Sequence, residues 1–146
     1  MRSITRATLP LFASLVLALS SFACSVKFIS DYDDVLDQSI TAFQHKAETL
    51  LTTLETQKPV PSYAACQKDY VALKADVSTM IMRASAYEKN DITVKQLENL
   101  LKLVGDWEAV HREGLTREEI PAIRTPINVA CTAVLKLEIA KKRGKD

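Results

Sequence analysis

An uninterrupted stripe of apolar residues, spaced alternately three and four positions apart, constrains the fold of this chain more than any other feature. The stripe consists of Tyr63, Cys66, Tyr70, Leu73, Val77, Met80, Ala84 and Tyr87. This spacing places every member on one face of an α-helix, whereas one face of a β-strand repeats every second residue. The stripe therefore predicts an amphipathic helix over about residues 62–89.

Two further segments have a comparable helical pattern. The first covers about residues 30–57, with Ser30 as a plausible N-cap and the apolar stripe Leu36, Ile40, Phe43, Ala47, Leu50 and Leu54. The next covers about residues 93–112, with the stripe Val94, Leu97, Leu100, Val104, Trp107 and His111. Gly105 lies inside this segment, where glycine disfavours helix, and it suggests a close helix crossing. Gly114 is expected to end the helix.

The start of the last helix is predicted from proline and capping residues. Thr116 and Glu119 have the spacing of a capping box, and Pro121 should prevent residues 115–125 from continuing as one regular helix. We expect the helix to begin with Thr125 as N-cap and Pro126 in its first position. Its apolar face would then carry Ile127, Cys131, Val134 and Leu137, and its end the basic residues Lys141, Lys142, Arg143 and Lys145.

Four amphipathic helices with short connections predict an all-α domain, an up-down-up-down four-helix bundle over residues 30–146. The chain has only three glycines, and no proline occurs between Ser62 and Ile120. This composition argues against a turn-rich β-sandwich and against a nucleotide site built on a glycine-rich loop.

The N-terminal segment has the composition of a cleaved signal peptide. Residues 1–6 are basic, residues 7–19 are apolar, and Ser20, Ser21 and Ala23 are small. The apolar run is shorter than a membrane-spanning helix requires and contains Pro10. We expect residues 1–23 to be removed.

The residues around the expected cleavage position resemble the lipobox of bacterial lipoproteins. Cys24 follows Ala23 directly, and in that family such a cysteine receives diacylglycerol on sulfur and an acyl chain on nitrogen. Ser21 stands where leucine is usual, and Phe22 is bulky for its place. The resemblance implies lipidation at Cys24. The alternative is that Ser21-Phe22-Ala23 serves an ordinary signal peptidase and the protein is released into the periplasm.

The residues after Cys24 extend this resemblance. Ser25 is compatible with the outer-membrane sorting rule, under which aspartate at that position would mean retention in the inner membrane. Residues 26–34 (VKFISDYDD) are similar to the start of small, mostly uncharacterised helical lipoproteins of Gram-negative bacteria. The resemblance implies a lipidated tether over residues 24–29 and an outer-membrane location facing the periplasm.

If Cys24 carries the lipid, the two cysteines that remain are Cys66 and Cys131. An oxidising compartment favours a disulfide between them. If the second and fourth helices begin at Ser62 and Pro126, the two cysteines lie at similar heights, although on diagonally opposed helices. We predict a Cys66–Cys131 disulfide, and the alternative is two buried free thiols.

The charge balance excludes one class of partner. The chain has 19 basic and 18 acidic residues, and removal of Arg2 and Arg6 with the signal peptide leaves 17 and 18. A nucleic-acid-binding domain normally has a marked basic excess. We therefore expect no nucleic acid among the partners.

The possible catalytic and metal-binding residues are few. Glu108 and His111 form one Glu-x-x-His pair, but a di-iron bundle needs two such pairs and two further carboxylates. His45 and Glu48 have the reversed order. We expect His111 to cap the core through hydrogen bonds to backbone or water, and we predict no catalytic residue, metal or cofactor.

Two classes of function remain open. The first is a non-catalytic lipoprotein, anchored to the membrane, whose bundle binds or scaffolds another envelope protein. The second is a small ligand-binding or enzymatic bundle, which would need a cavity where Ala47, Ala84 and Gly105 fall in one layer. Glu138 and Arg83 lie close to apolar faces, and we expect both to be solvated boundary residues. The basic tail, residues 136–145, could contact anionic lipid head groups or the cell-wall polymer, although the helix dipole explains it equally well.

Overall fold

The predicted all-α class is confirmed: the chain forms a four-helix bundle. A computed structural model describes residues 29–144. Its helices are α1 (Asp34–Thr56), α2 (Tyr63–Ser85), α3 (Asp91–Gly114) and α4 (Ile120–Arg143), and a 3₁₀ turn (Arg117–Glu119) precedes α4.

The helices run alternately up and down, and each packs mainly against two neighbours. The packed pairs are α1 with α2, α2 with α3, α3 with α4, and α4 with α1. The bundle therefore has two ends. The entry end contains the starts of α1 and α3 and the ends of α2 and α4, and the described chain enters there at Ile29. The far end contains the opposite termini.

The stripes predicted for α1 and α2 form the core, with small corrections at their ends. All six stripe residues of α1 are buried, and so are those of α2 from Cys66 to Ala84. The N-cap of α1 is Asp33, not Ser30, and its carboxylate accepts hydrogen bonds from the backbone N–H groups of Val35 and Leu36. Tyr87 lies beyond the end of α2 and is exposed.

The buried face of α3 begins earlier than predicted. Asn90 and Thr93 are buried, and they precede Leu97 in regular spacing, while Val94 is only half-buried. Gly114 ends the helix as predicted, with a φ of +120° that an L side chain adopts with strain. The close crossing predicted at Gly105 is wrong, because a Cβ placed there would meet no atom within 4 Å.

The predicted start of α4 is also wrong. The helix begins at Ile120, and Pro126 lies inside it. The capping box of Thr116 and Glu119 forms as expected, and its 3₁₀ turn leads directly into the helix. Pro121 occupies the first turn, where its missing N–H has no partner to lose. Thr125 is not a cap; its hydroxyl donates to the carbonyl oxygen of Pro121 at 3.1 Å.

Over residues 29–144, none of the helices is both long and apolar enough to cross a bilayer.

Candidate functional site

The polar groups at the far end converge on the carboxylate of Glu108. The side chain is 9% exposed. Its Oε2 accepts from Lys74 Nζ at 2.5 Å, and its Oε1 accepts from the Tyr63 hydroxyl at 2.8 Å and from Arg112 Nη2 at 3.2 Å. The hydrogen bond from Lys74 lowers the pKa of Glu108, although burial opposes this effect. Glu108 therefore binds α2 to α3 as an ionised, fully paired group.

His111 joins the core to the loop before α2, in agreement with the predicted capping role. Its Nε2 lies 2.9 Å from the carbonyl oxygen of Pro61, and its Nδ1 lies 2.8 Å from the Tyr70 hydroxyl. Because a carbonyl oxygen only accepts, Nε2 carries the hydrogen, and in the neutral ring the Tyr70 hydroxyl donates to Nδ1. Neither ring nitrogen keeps a lone pair for a metal.

Aromatic rings pack around the contact between Tyr70 and His111. Tyr70 packs edge-on against Trp107 with ring centroids 5.1 Å apart, and it stacks on Tyr63 at 6.1 Å. The guanidinium of Arg112 lies 4.9 Å from the centre of the Tyr63 ring. Burial raises the pKa of Tyr70. These contacts stabilise the packing of α2 on α3.

The reversed pair His45 and Glu48 lies elsewhere. Both residues belong to α1. His45 is exposed, and Glu48 forms an ion pair with Arg124 of α4, with 2.8 Å between Glu48 Oε1 and Arg124 Nε. Glu108 and His111 belong to the opposite side of the bundle, on α3. Over the described part of the chain, no three His, Cys, Asp or Glu side chains are grouped so that they could hold a metal ion.

The entry end contains a second polar group, centred on Glu138 and Lys141 of α4. Glu138 is fully buried and Lys141 is 6% exposed, so the expectation that Glu138 is a solvated boundary residue is wrong. Lys141 Nζ donates to Glu138 Oε1 at 2.5 Å, to Asn90 Oδ1 at 2.6 Å and to Thr93 Oγ1 at 3.0 Å. Lys141 is thus an internal cation and not part of a solvated basic tail.

The segment before α1 is bound into the same group. Glu138 Oε2 accepts from the backbone N–H of Asp33, and Ser30 donates to Asn90. Arg83 holds the Asp33 carboxylate with two hydrogen bonds of 2.6 and 2.8 Å. Burial raises the pKa of Asp33, but the hydrogen bonds from Arg83 and the backbone outweigh it, so that the pKa is lowered. We call these seven residues the entry-end network: Ser30, Asp33, Arg83, Asn90, Thr93, Glu138 and Lys141.

Most of the entry-end network was not predicted from the sequence, although the spacing of residues in α4 contained a signal. The buried face of α4 runs Ile127, Cys131, Val134, Glu138 and Lys141, again at alternating intervals of four and three. The regular register therefore places Glu138 and Lys141 inside. No comparable signal identifies Lys74, because its role depends on a partner 34 positions away.

Cys66 and Cys131 are both buried and free, so the predicted disulfide is not present in the structure. The reason lies in the earlier start of α4. Cys66 is three residues into α2 and Cys131 is eleven residues into α4, which places them about 5 and 17 Å from the far end at ~1.5 Å per residue. The two cysteines also belong to diagonally opposed helices. Burial raises the pKa of the Cys66 thiol, and that of Cys131 to about 12.

The small residues do not make the layer that an internal cavity requires. Ala84 lies at the entry end, whereas Ala47 and Gly105 lie midway along their helices. The surface instead has an open groove between α1 and α2, of about 480 Å³, with Thr49, Leu50, Cys66 and Leu73 among its lining residues.

The predicted signal peptide and Cys24 lie outside the described residues. A comparison of the chain with protein-family models, with curated proteins and with solved structures found no match.

Proposed function

We propose that the protein is an envelope lipoprotein, anchored in the outer membrane through Cys24, whose helical bundle binds another envelope protein from the periplasmic side. The lipobox-like residues Ala23-Cys24-Ser25 support the anchor. The binding role is inferred from the residues on the outer face of α2, and this observation carries the proposal.

The outer face of α2 has an uncharged strip of about two and a half turns, flanked by Lys74 and Asp76, whose side chains are partly exposed and ion-paired with Glu108 and Lys46. Its exposed residues are Val71, Ala72, Ala75, Ser78 and Thr79. The outer face of α3, by contrast, exposes Lys95, Glu98, Lys102, Asp106 and Glu113. The central part of a protein interface is depleted of charged side chains. We infer that the partner packs on α2.

The state of the ionisable groups favours a binding role over a catalytic one. Glu108, His111 and the Glu138–Lys141 pair each hold two or more helices or segments together through hydrogen bonds. A general acid, base or nucleophile must instead meet a substrate in a cleft. In this bundle these groups stabilise the packing.

A photo-reactive amino acid introduced at Ala75 in the full-length chain in living cells tests the proposal. We expect one cross-linked adduct of fixed mass in the membrane fraction. The matched probe at Glu98, on the charged face of α3, should give none. Ala75→Glu should abolish the adduct formed from a second probe at Val71, whereas Ala109→Glu, on the exposed face of α3, should leave it intact. No adduct at Ala75, or equal adducts at Ala75 and Glu98, would contradict the proposal.

The groove between α1 and α2 supports a second candidate function, the binding of a small ligand. Its volume of about 480 Å³ falls in the range of ligand sites, and Leu50 and Leu73 give it an apolar floor. If this function holds, native mass spectrometry should find a small molecule bound to the purified protein. Ala65→Trp at the exposed rim should then expel the molecule without unfolding the bundle.

A further inference from the structure

The exposed apolar side chains are concentrated at the entry end of the bundle. Of nine large apolar side chains that the described residues expose, six lie there. These six are Ile29, Val35, Met82, Tyr87, Ile92 and Ile139. Each of the four helices contributes at least one of them within its terminal five residues. Isolated exposed apolar residues are ordinary, but a ring of them around one end indicates a surface that contacts something apolar.

The same end receives the chain from the proposed lipid anchor. The backbone N–H of Ser30 donates to the carbonyl oxygen of Lys89, and Ile29 and Tyr87 line one shallow surface depression. Only five residue steps separate Cys24 from Ile29, and a fully extended chain of that length spans at most about 18 Å. A lipid on Cys24 therefore holds Ile29 within this distance of the anchor, and with it the end of the bundle that carries the apolar ring.

We propose that the entry end of the bundle rests on the membrane surface, with its six apolar side chains in the interfacial region. This inference rests on the proposed lipidation of Cys24. A few partly exposed side chains bind a bilayer weakly by themselves, but a short tether raises their effective concentration to the millimolar range. Weak contacts are then sufficient to keep the entry end at the membrane surface. In this orientation the outer face of α2 stays accessible to a partner.

The charges around the ring indicate that the contact is apolar and not electrostatic. The exposed acidic residues at this end are Asp31, Asp34, Glu88 and Asp91, and the exposed basic ones are Lys89, Lys142 and Arg143. Lys142 lies over the ring of Tyr32, and Lys141 is buried in the entry-end network. Since the two signs nearly balance, anionic lipids should not strengthen the contact.

An environment-sensitive fluorophore on single introduced cysteines tests this seating. Met82→Cys and Ile92→Cys place the probe in the ring on the neighbouring helices α2 and α3, and Val129→Cys places it on the exposed face of α4, away from the entry end. The lipidated full-length product is labelled in its native state, in which Cys66 and Cys131 are buried, and reconstituted in phosphatidylcholine vesicles containing quencher-labelled lipid. We expect a blue shift and a loss of intensity for the probes at 82 and 92, and neither for the probe at 129.

The other outcomes would overturn the inference. Equal quenching at all three positions would mean that the bundle lies on its side, and quenching at none would mean that it stands clear of the bilayer. A quenching that appears only when phosphatidylglycerol is added would mean an electrostatic contact. The mass of the reconstituted protein separates the two proposals: a product without lipid refutes the proposed anchor, whereas a lipidated product without quenching at 82 and 92 refutes only the seating.

Discussion

Lys141 Nζ lies 2.5 Å from Glu138 Oε1, in an ion pair that is buried close to the end of α4. Each partner has further hydrogen bonds, to Asn90 and Thr93 for the lysine and to the backbone of Asp33 for the glutamate. The pair therefore joins α4 to the start of α3 and to the segment that leads out to the proposed tether.

Removal of one partner of this pair should strongly destabilise the bundle. In Glu138→Ala, the Lys141 ammonium would stay buried without its counter-ion, a change that typically costs about 3–5 kcal/mol. Urea unfolding followed by circular dichroism measures the loss. Lys102→Ala serves as the control, because it removes an exposed pair with Asp106 and should cost less than about 1 kcal/mol. Equal effects of the two substitutions would contradict the role of Glu138.

Much of the fold could be predicted from apolar spacing alone, and the core positions that this spacing missed share one cause. The stripes of α1 and α2 identified the core because apolar residues fill every buried position there. In α3 and α4 the regular spacing continues through Asn90, Thr93, Glu138 and Lys141, which composition marks as surface residues. Their burial depends on partners from other helices, and these partners become visible only in three dimensions.

The two glycines of α3 should respond in opposite directions to alanine. Gly105→Ala should stabilise the protein by up to about 1 kcal/mol, because the site has space for a Cβ and alanine favours helix. Gly114→Ala should destabilise it, because a φ of +120° strains an L residue. Thermal unfolding of both variants checks the prediction. If Gly105→Ala destabilised the protein, the result would mean that the helices cross closely at Gly105, which would contradict the structure.

Acid should weaken the bundle partly through Glu108. Its pKa is lowered in the folded state, chiefly by the hydrogen bond from Lys74, and so its ionised form stabilises folding. This contribution is complete above the unfolded value of about 4.3 and is lost as the pH falls through the folded pKa. We expect the urea midpoint to drop between about pH 5 and pH 3. In Glu108→Gln the drop should be smaller, whereas Glu98→Gln, on the exposed face of α3, should behave like the parent.

The cysteines should behave as two buried thiols. Denaturation without reductant should allow an alkylating agent to label both Cys66 and Cys131, whereas the native protein should react slowly because burial shields both and raises both pKa values. Peptide mass spectrometry reads the labels. A protein that takes up no label and gains 2 Da on reduction would instead contain the disulfide that cysteine pairing suggested.

The polar contacts around Glu108 and His111 at the far end show where prediction from sequence stops. The role of His111 as a capping residue followed from its place at the end of an apolar stripe. Its partners Tyr70 and Pro61, and the convergence of Tyr63, Lys74 and Arg112 on Glu108, depend on the register between α2 and α3. Spacing within one helix contains no information on that register.

The intact mass of the protein purified from the membrane fraction tests the proposed anchor most directly. We expect a chain that begins at Cys24 and carries the mass of a diacylglyceryl group and an acyl chain, and we expect Cys24→Ser to move the protein out of that fraction. A mature protein with a free N-terminal amine and no lipid mass would contradict both the proposed anchor and the proposed contact of the entry end with the bilayer.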